Sequence, residues 1–541
     1  MTRAVDVIVI GAGFAGLYAI HKLRALGLSV QAFEAGSGVG GTWYWNRYPG
    51  ARCDSEMPVY QFLFSDELGS EWRWSERYPS QPDVQAYLNF VADRLDLRRD
   101  IGFDTRVTAL HYESGAQRWT VTTEQGDRLS ARYCVTAAGC LSAPQTPEFP
   151  GIDSFAGRIV YTSSWPEEGV DLRGKRVAVI GTGATGIQLI PEAARDAAQL
   201  TVFQRTANFS VPARNRSLTA DEIEHYRSSI AQYRDVVKLS DLGHLPRLPG
   251  PTQDDTDDDP AALQSAFRTL IDMGGNGMLL NFPTMVVDER INALAADVVR
   301  ERIRAIVDDP ATAEDLIPTD HPIGTKRVCI DTDYFETFNR DNVRLVNLRR
   351  MPITRITQDA IVTGDERHPV DIIILATGFD AVTGPLTRID IRGRDGVSLR
   401  DKWADGPKSY LGLMVAGFPN LFTITGPLSP SVFTNMPAMI EQHVDWIADC
   451  VASLEREGQA TIEARADEEE AWGRHARDVA EQTLFTRAAS WYMGANIDGK
   501  PRTILPYLGG MVAYREKCLE AAADHYARFE LTAGQADPSQ R

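Results

Sequence analysis

The sequence holds no CxxC pair and no Cys/His cluster at metal-ligand spacing. Its six cysteines, Cys53, Cys134, Cys140, Cys329, Cys450 and Cys518, are scattered through 541 residues. That pattern argues against a zinc site or a disulfide framework and for a reducing compartment. No metal is expected. Long apolar runs are lacking as well: no window approaches the ~18 consecutive apolar residues of a membrane span. The first apolar run, Val5 to Ile10, is short, contains Asp6 and leads directly into glycines, unlike a signal peptide. The expected location is cytoplasmic. Positive charge is in deficit, with 56 Lys and Arg against 74 Asp and Glu and a formal net charge of −18. Such a balance argues against a nucleic-acid partner. Neither membrane nor nucleic acid is expected as a partner, and a monomer or weak oligomer is the expectation.

What the chain does have is two copies of one phosphate-binding device. Val5 to Ile10 reads as a buried strand, Gly11-Ala12-Gly13-Phe14-Ala15-Gly16 as a tight turn, Leu17 to Leu26 as a helix and Leu28 to Glu34 as a second strand. A GxGxxG turn between strand and helix lets the backbone approach a pyrophosphate, with the helix N-terminus facing the anion. Glu34 ends the second strand, where a carboxylate accepts the hydroxyls of an unphosphorylated ribose. The second copy runs from Lys175 to Ile180, through Gly181-Thr182-Gly183-Ala184-Thr185-Gly186, to a helix from Ile187 and a strand Leu200 to Gln204. Here Arg205 and Thr206 stand where the first copy has its acid. They suit a 2′-phosphate that a carboxylate would repel. The first unit therefore reads as an FAD site and the second as an NADP site.

Around these units the chain reads as α/β: two Rossmann-like dinucleotide-binding domains, for FAD and NADP, with a mostly helical insertion. The expected division is 1–142 for the first part of the FAD domain and 143–216 for a linker and the first part of the NADP domain. The insertion spans 217–323, the returning NADP segment and linker 324–380, and the second part of the FAD domain 381–530. Residues 531–541 are expected to be a frayed polar tail. Glu71 to about Arg99 reads as one charged helical segment. Val107 to Tyr112 and Trp119 to Thr123 alternate like antiparallel strands, and Ala131 to Ala138 reads as a strand returning to the first sheet. Thr219 to Glu222 forms a possible capping box. The acidic run Asp254 to Asp259 reads as a solvated loop rather than a metal site. Pro437 to Ser453 reads as a helix whose N-terminus points its dipole toward the flavin.

The stretch Gly40 to Asp54, GGTWYWNRYPGARCD, places Trp43, Tyr44 and Trp45 side by side and then Arg47, Arg52 and Asp54. Burying large aromatic side chains is favourable by roughly 1.5–3 kcal/mol each, so this stretch is expected to pack on a flat partner, a flavin ring.

With this stretch between two nucleotide units, the chain resembles the Baeyer–Villiger monooxygenases, class B flavoprotein monooxygenases, over nearly its whole length. Trp43, Tyr48-Pro49-Gly50 and Asp54 fit that family's pattern. Phe155, Gly157, Trp165 and Pro166 fit its fingerprint before the second glycine turn, whereas Tyr161 stands where the family has histidine. The resemblance implies Arg327 as the active-site arginine, positioned by Asp54. It implies FAD contacts at Gly11, Gly13, Phe14, Ala15, Gly16, Glu34, Thr42, Trp43, Trp45, Asp54, Tyr60, Val107 and Met436. For NADP it implies Arg52, Asp54, Gly181 to Gly186, Arg205, Thr206, Lys326, Arg327 and Trp491. Ser431, Val432, Phe433 and Trp491 are implied as pocket-lining.

The implied reaction consumes NADPH and O2. Hydride reduces FAD, a C4a-peroxyflavin attacks a ketone, and the tetrahedral intermediate, stabilised by Arg327, rearranges to an ester or lactone. An arginine suits this because it stays charged where a desolvated lysine can lose its proton. Two alternatives share the nucleotide sites: an N- or S-oxygenating flavin monooxygenase, and an uncoupled NADPH oxidase or flavin reductase. Cys134 and Cys140 are rejected as a redox pair, because they lie on a strand and beyond its end.

Overall fold

The computed structural model describes residues 3–245, 248–257 and 259–533. The chain begins with β1 (Arg3–Ile10), α1 (Phe14–Ala25) and β2 (Val30–Phe33). Val7, Ile8 and Val9 are fully buried. Val7 and Val9 pack on the helical side, and Val5, Ile8 and Ile10 on the opposite face of the sheet. A strand buried on both faces is what a continuous apolar run dictates.

Next comes α2 (Gln81–Arg94). The segment Glu71 to Arg99 is therefore not one helix. Residues 72–80 run without helix until Ser80, whose hydroxyl caps α2 at Asp83, with Pro82 in the first turn. Pro79 precedes that cap and has no N–H for a helical ladder. Trp72 and Trp74 lie in this irregular segment and pack on Tyr87 of α2.

The strands β3 (Val107–Glu113), β4 (Arg118–Thr123) and β5 (Arg128–Thr136) follow. β4 pairs antiparallel with both neighbours, and β5 pairs parallel with β1, so the excursion returns to the first sheet.

The second sheet is built from β6 (Arg158–Tyr161), β7 (Arg176–Ile180) leading into α3 (Ala184–Asp196), and β8 (Gln199–Gln204). The helices α4 (Ala220–Ser228), α5 (Ile230–Lys238), α6 (Pro260–Met273) and α7 (Glu289–Ile306) then intervene. Thr219 and Glu222 form the capping box of α4. In the acidic run, Asp255 accepts from Thr252 and Asp259 caps α6, while Asp258 lies outside the described residues. The sheet is completed by β9 (Val343–Asn347) and β10 (Ile372–Leu375). Its order is β9-β8-β7-β10-β6, parallel throughout.

The chain then returns to the first sheet. β11 (Leu421–Thr423) pairs parallel with β5, and α8 (Met436–Glu457) packs along α1. β12 (Gln459–Ala464) pairs antiparallel with β13 (Phe529–Ala533). Leu531, Thr532 and Ala533 thus belong to a strand instead of a frayed tail, because their backbone groups find partners on β12. The rest of the expected tail, 534–541, lies outside the described residues. Among the described residues no helix is long and apolar enough to cross a membrane, and no group of three or more His, Cys, Asp or Glu side chains could hold a metal ion. All six cysteines are free and buried.

Candidate active site at the junction of two nucleotide units

The first glycine turn leaves no room for side chains. Gly11 has φ +105, and a Cβ there would lie 2.5 Å from the Ala137 carbonyl oxygen; a Cβ at Gly16 would lie 1.9 Å from that of Gly11. The turn abuts Gly41, whose Cα would be 3.3 Å from a Cβ at Gly13. Phe14 opens α1 and meets Tyr60 edge-on at 5.6 Å, with Ala15 buried beside it. Glu34 is anchored by two backbone donors, Ala12 N–H at 2.9 Å and Gly36 N–H at 2.8 Å, one on each carboxylate oxygen. Burial nevertheless pushes its pKa up. Each oxygen keeps a further lone pair for a ribose hydroxyl. Thr105 N–H donates to the Glu34 carbonyl, which places Val107, at the start of β3, beside this site.

Thr42 to Trp45 form a single helical turn, entered at Gly41 with φ +53. The three aromatics therefore do not present one face, because successive side chains on a helix diverge by about 100°. Trp43 points inward, nearly buried, and its indole N–H donates to the Tyr60 hydroxyl at 3.2 Å. Tyr44 turns to Ser37, with the Arg47 guanidinium 4.5 Å from its ring. Trp45 meets Tyr44 edge-on, and its nearness to Glu34 works against the rise that burial causes there.

The stretch continues onto the second nucleotide unit. Gln188 of α3 accepts from Tyr48 Oη at 2.9 Å and Arg52 N–H at 3.3 Å, and its amide donates to the Arg52 carbonyl at 3.0 Å. A Cβ at Gly50 would lie 2.4 Å from the Gln188 carbonyl oxygen. The Arg52 guanidinium itself is engaged by other partners. It pairs with Glu76 and donates to the Tyr78 carbonyl at 2.6 Å.

Asp54 meets Arg327 in a bidentate pair. Arg327 Nε donates to Asp54 Oδ2 and Nη2 to Oδ1, each at 2.7 Å, and Nη1 reaches the Val432 carbonyl at 3.4 Å. Burial alone would raise the Asp54 carboxyl, but the charge and hydrogen bonds of Arg327 outweigh it and hold the group below the ordinary carboxylate range. The charge of Asp54 raises Arg327 further. Asn276 donates to the Asp54 carbonyl and Asn208 to that of Arg327. His244 comes within 3.5 Å of Ser55 Oγ. Its pKa is pushed down to about 4, by burial first and then by Arg327. The arrangement is a permanently charged guanidinium, steered by a carboxylate and faced by a neutral imidazole. It can stabilise negative charge developing on a substrate oxygen.

Around this pair, Val432 contributes its carbonyl and Phe433 packs edge-on against Phe485. Ser431 turns a fully buried hydroxyl inward, 3.0 Å from Cys140 Sγ and donating to the Thr425 carbonyl. Met436 is the first residue of α8, where helical N–H groups have no intrahelical partners. The preceding residue, Asn435, donates its amide to Val59 and Gly243, and its Oδ1 is buried without a partner. Trp491 stacks on Tyr492 at 4.0 Å. The loop that carries them is tied down by Asn496, on the Phe379 carbonyl, and by Lys500, on Asp380 at 2.6 Å.

In the second unit, Gly181 (φ +113) and Gly186 are demanded by packing: added Cβ atoms would lie 2.3 Å from the Ala376 and 2.2 Å from the Gly181 carbonyl oxygens. Gly183 differs. A Cβ there would meet nothing within 4 Å, so the protein's own packing does not call for glycine, whereas a phosphate lying on the turn does. Ala184 and Thr185 open α3, and Thr182 Oγ1 donates to the Thr206 carbonyl at 3.0 Å. Arg205 and Lys326 are close enough to repel: burial lowers the Lys326 pKa first, and Arg205 lowers it further. Tyr161 lies on β6 opposite Leu375, partly buried against the core of this unit, with Phe155 and Trp165 buried nearby in sequence. Gln188, His244, Tyr492 and Arg349 are site neighbours that sequence reasoning did not name. They arrive from segments whose only signal is their place in the fold.

The chain is similar to known proteins over nearly its whole length. The family model described as flavin-binding monooxygenase-like matches residues 4–217. The chain is 44% identical to the acetone monooxygenase (methyl acetate-forming) of Gordonia sp. strain TY-5, covering 98% of this chain and 100% of that protein. It is 42% identical to the phenazine N-monooxygenase PhzNO1 of Lysobacter antibioticus, covering 99% and 98%. A solved structure of an oxidized steroid monooxygenase bound to NADP superposes with a TM-score of 0.92 at 48% identity, covering 98% of this chain and all of that one.

Proposed function

The chain belongs to the Baeyer–Villiger monooxygenases among the flavin-dependent monooxygenases, being 43% identical to a Baeyer–Villiger monooxygenase of Pseudooceanicola batsensis over 94% of its length, and we propose that it uses FAD, NADPH and O2 to insert one oxygen beside a ketone carbonyl, giving an ester or lactone. The observation that carries this reading is the bidentate Asp54–Arg327 pair at the junction of the two nucleotide units. FAD, reduced by NADPH, supplies the activated oxygen.

The chain's own residues do the rest. Gly11, Gly13 and Gly16 let the first turn lie against the FAD pyrophosphate, and Glu34 takes the adenosine ribose. Phe14, Ala15, Thr42, Trp43, Trp45, Tyr60 and Val107 line that side, and the start of α8 at Met436 turns its free N–H groups and positive dipole end to the flavin. Gly181 to Gly186 hold the NADPH pyrophosphate, and Arg205, Thr206 and Lys326 the 2′-phosphate. Trp491, Val432 and Phe433 line the ketone side. Arg52 supports this edge through its backbone, since its guanidinium is engaged by Glu76. Arg327 stabilises negative charge building on the ketone oxygen, an effect worth roughly 3–4 kcal/mol of barrier for one well-placed donor. Asp54 keeps the guanidinium oriented. We assign 1–142 and 381–530 to the FAD domain, 143–216 and 324–380 to the NADP domain, and 217–323 to the insertion.

The likeness to a phenazine N-monooxygenase makes N-oxygenation the competing chemistry. Purified holoenzyme is incubated with NADPH, O2 and a panel of ketones, sulfides and heteroaromatic amines, with product masses and hydrogen peroxide recorded. Ester or lactone is expected from at least one ketone. Heteroatom oxides alone, or peroxide equal to the NADPH consumed, overturn the proposal.

A further inference from the structure

β8 ends at Gln204, just before Arg205 and Thr206. Its parallel neighbour β9 ends at Asn347, opposite Gln204 in register. The turn after β9 is firmly built. Leu348 N–H donates to the Gln204 carbonyl at 2.8 Å, Arg349 N–H to Asn347 Oδ1 at 3.0 Å, and the Asn347 amide to Asp315 at 3.0 Å. Arg349 thus leaves a fixed base at the carboxyl ends of two adjacent strands, the edge where nucleotides bind in such sheets. Its Nη2 lies 3.4 Å from Thr206 Oγ1 and pairs with Asp320. Asp320 also contacts His321 Nδ1 at 2.7 Å. Lys326 stands in the same field: after burial, Asp320 raises its pKa, and Arg349 and Arg205 lower it.

Three positive charges, on Arg205, Lys326 and Arg349, face one negative charge on Asp320. Burial keeps His321 below its ordinary pKa and so neutral at pH 7. The surplus of two charges matches a phosphate monoester, which carries about −1.5 to −2 at neutral pH. A guanidinium is also the group best shaped for phosphate oxygens.

We propose that Arg349 binds the 2′-phosphate of NADPH together with Arg205 and Lys326, and is a third determinant of cofactor choice, with Asp320 holding it in place before the cofactor arrives. This rests on reading Gly181 to Thr206 as the NADP site.

The test uses holoenzyme and compares Arg349→Ala, Arg349→Lys and Arg205→Ala by KM for NADPH and for NADH, and by calorimetric binding of adenosine 2′,5′-bisphosphate against 5′-AMP. For Arg349→Ala the KM for NADPH is expected to rise about tenfold, as for the loss of one charge-assisted contact. The KM for NADH should stay within about twofold and the preference for the bisphosphate should shrink. Arg349→Lys should recover part of the loss. Since Arg349 is half-exposed, the effect should also weaken as salt rises. An unchanged KM for NADPH, or equal rises for NADPH and NADH, overturns the role of Arg349. If Arg205→Ala shifts the preference while Arg349→Ala does not, the NADP site stands and this proposal fails. If neither does, the NADP reading fails with it.

Discussion

Arg327 and Asp54 are 273 positions apart in the chain and meet through two parallel hydrogen bonds of 2.7 Å. The carboxylate fixes the plane of the guanidinium, so one edge is engaged while Nη1 is left to a long contact with the Val432 carbonyl.

Replacing Arg327 by alanine should abolish ester formation by a factor of about 10²–10³ in kcat, as for removal of an oxyanion-stabilising donor. Bound flavin absorbance should be retained. Arg327→Lys should stay impaired, because an ammonium cannot engage both carboxylate oxygens in a planar fork. Product formed by either variant near the parent rate would remove Arg327 from the chemistry.

Asp54→Asn keeps the shape of the side chain and removes its charge. It should lower kcat more than it raises the KM for NADPH, since the guanidinium loses its orientation. The pH dependence follows from the sign of the shift. Asp54 is held below its ordinary value of about 3.9, so the stability it contributes is complete above that pH and lost only as pH falls through the lower folded value. The difference in Tm between parent and Asp54→Asn should therefore be constant from pH 8 to 5 and narrow below about pH 4.

Gly183 and Gly181 separate ligand space from packing. Gly183→Ala should leave Tm within about 1 °C, since its Cβ meets nothing, but should raise the KM for NADPH by tenfold or more as the methyl enters the pyrophosphate's space. Gly181→Ala should lower Tm clearly, because φ +113 and a carbonyl oxygen 2.3 Å away leave no place for a methyl. Thermal unfolding and steady-state kinetics on the two variants decide this.

Glu441 on α8 accepts from Leu63 N–H at 2.6 Å and Phe64 N–H at 3.2 Å. Burial pushes its pKa up to about 7, with Asp445 adding to the rise. A carboxyl raised on folding contributes stability that is complete below its unfolded pKa and lost as pH rises through the folded one. The parent should lose Tm relative to Glu441→Gln between about pH 4.5 and 7, with no further divergence above. A flat difference over that window would rule out Glu441 as its source.

Much of this was legible in the sequence where the signal is local. Each glycine turn sits between its own strand and helix, and the contrast between Glu34 and Arg205-Thr206 can be read within one βαβ unit. The aromatic run at Trp43 to Trp45 misled, because residue identity does not reveal that a helical turn splays the rings. The helix expected from Glu71 is absent until Ser80: a short helix ends at Glu71, Trp72 turns extended, and only the Ser80 cap, after Pro79, starts the next helix. That the Ser431 hydroxyl lies between Cys140 and Thr425 has no local signal, because those partners come from distant or looped segments. Arg349 stands 143 residues from Thr206, and only the register of β9 beside β8 brings them together.

The three hydrogen bonds of Gln188 have a mechanical consequence. They fasten the backbone at Arg52 to the helix behind the second glycine turn. Arg327 lies two residues before Cys329, whose strand pairs with Ser210 to Pro212. The backbone around Arg52 is fastened to the first unit as well: Cys53 N–H donates to the Pro79 carbonyl at 3.0 Å and Gln81 N–H to the Ala51 carbonyl at 2.9 Å. Asp54 therefore follows a clamped stretch of backbone, and the two units cannot part at this point without breaking one of these sets of bonds.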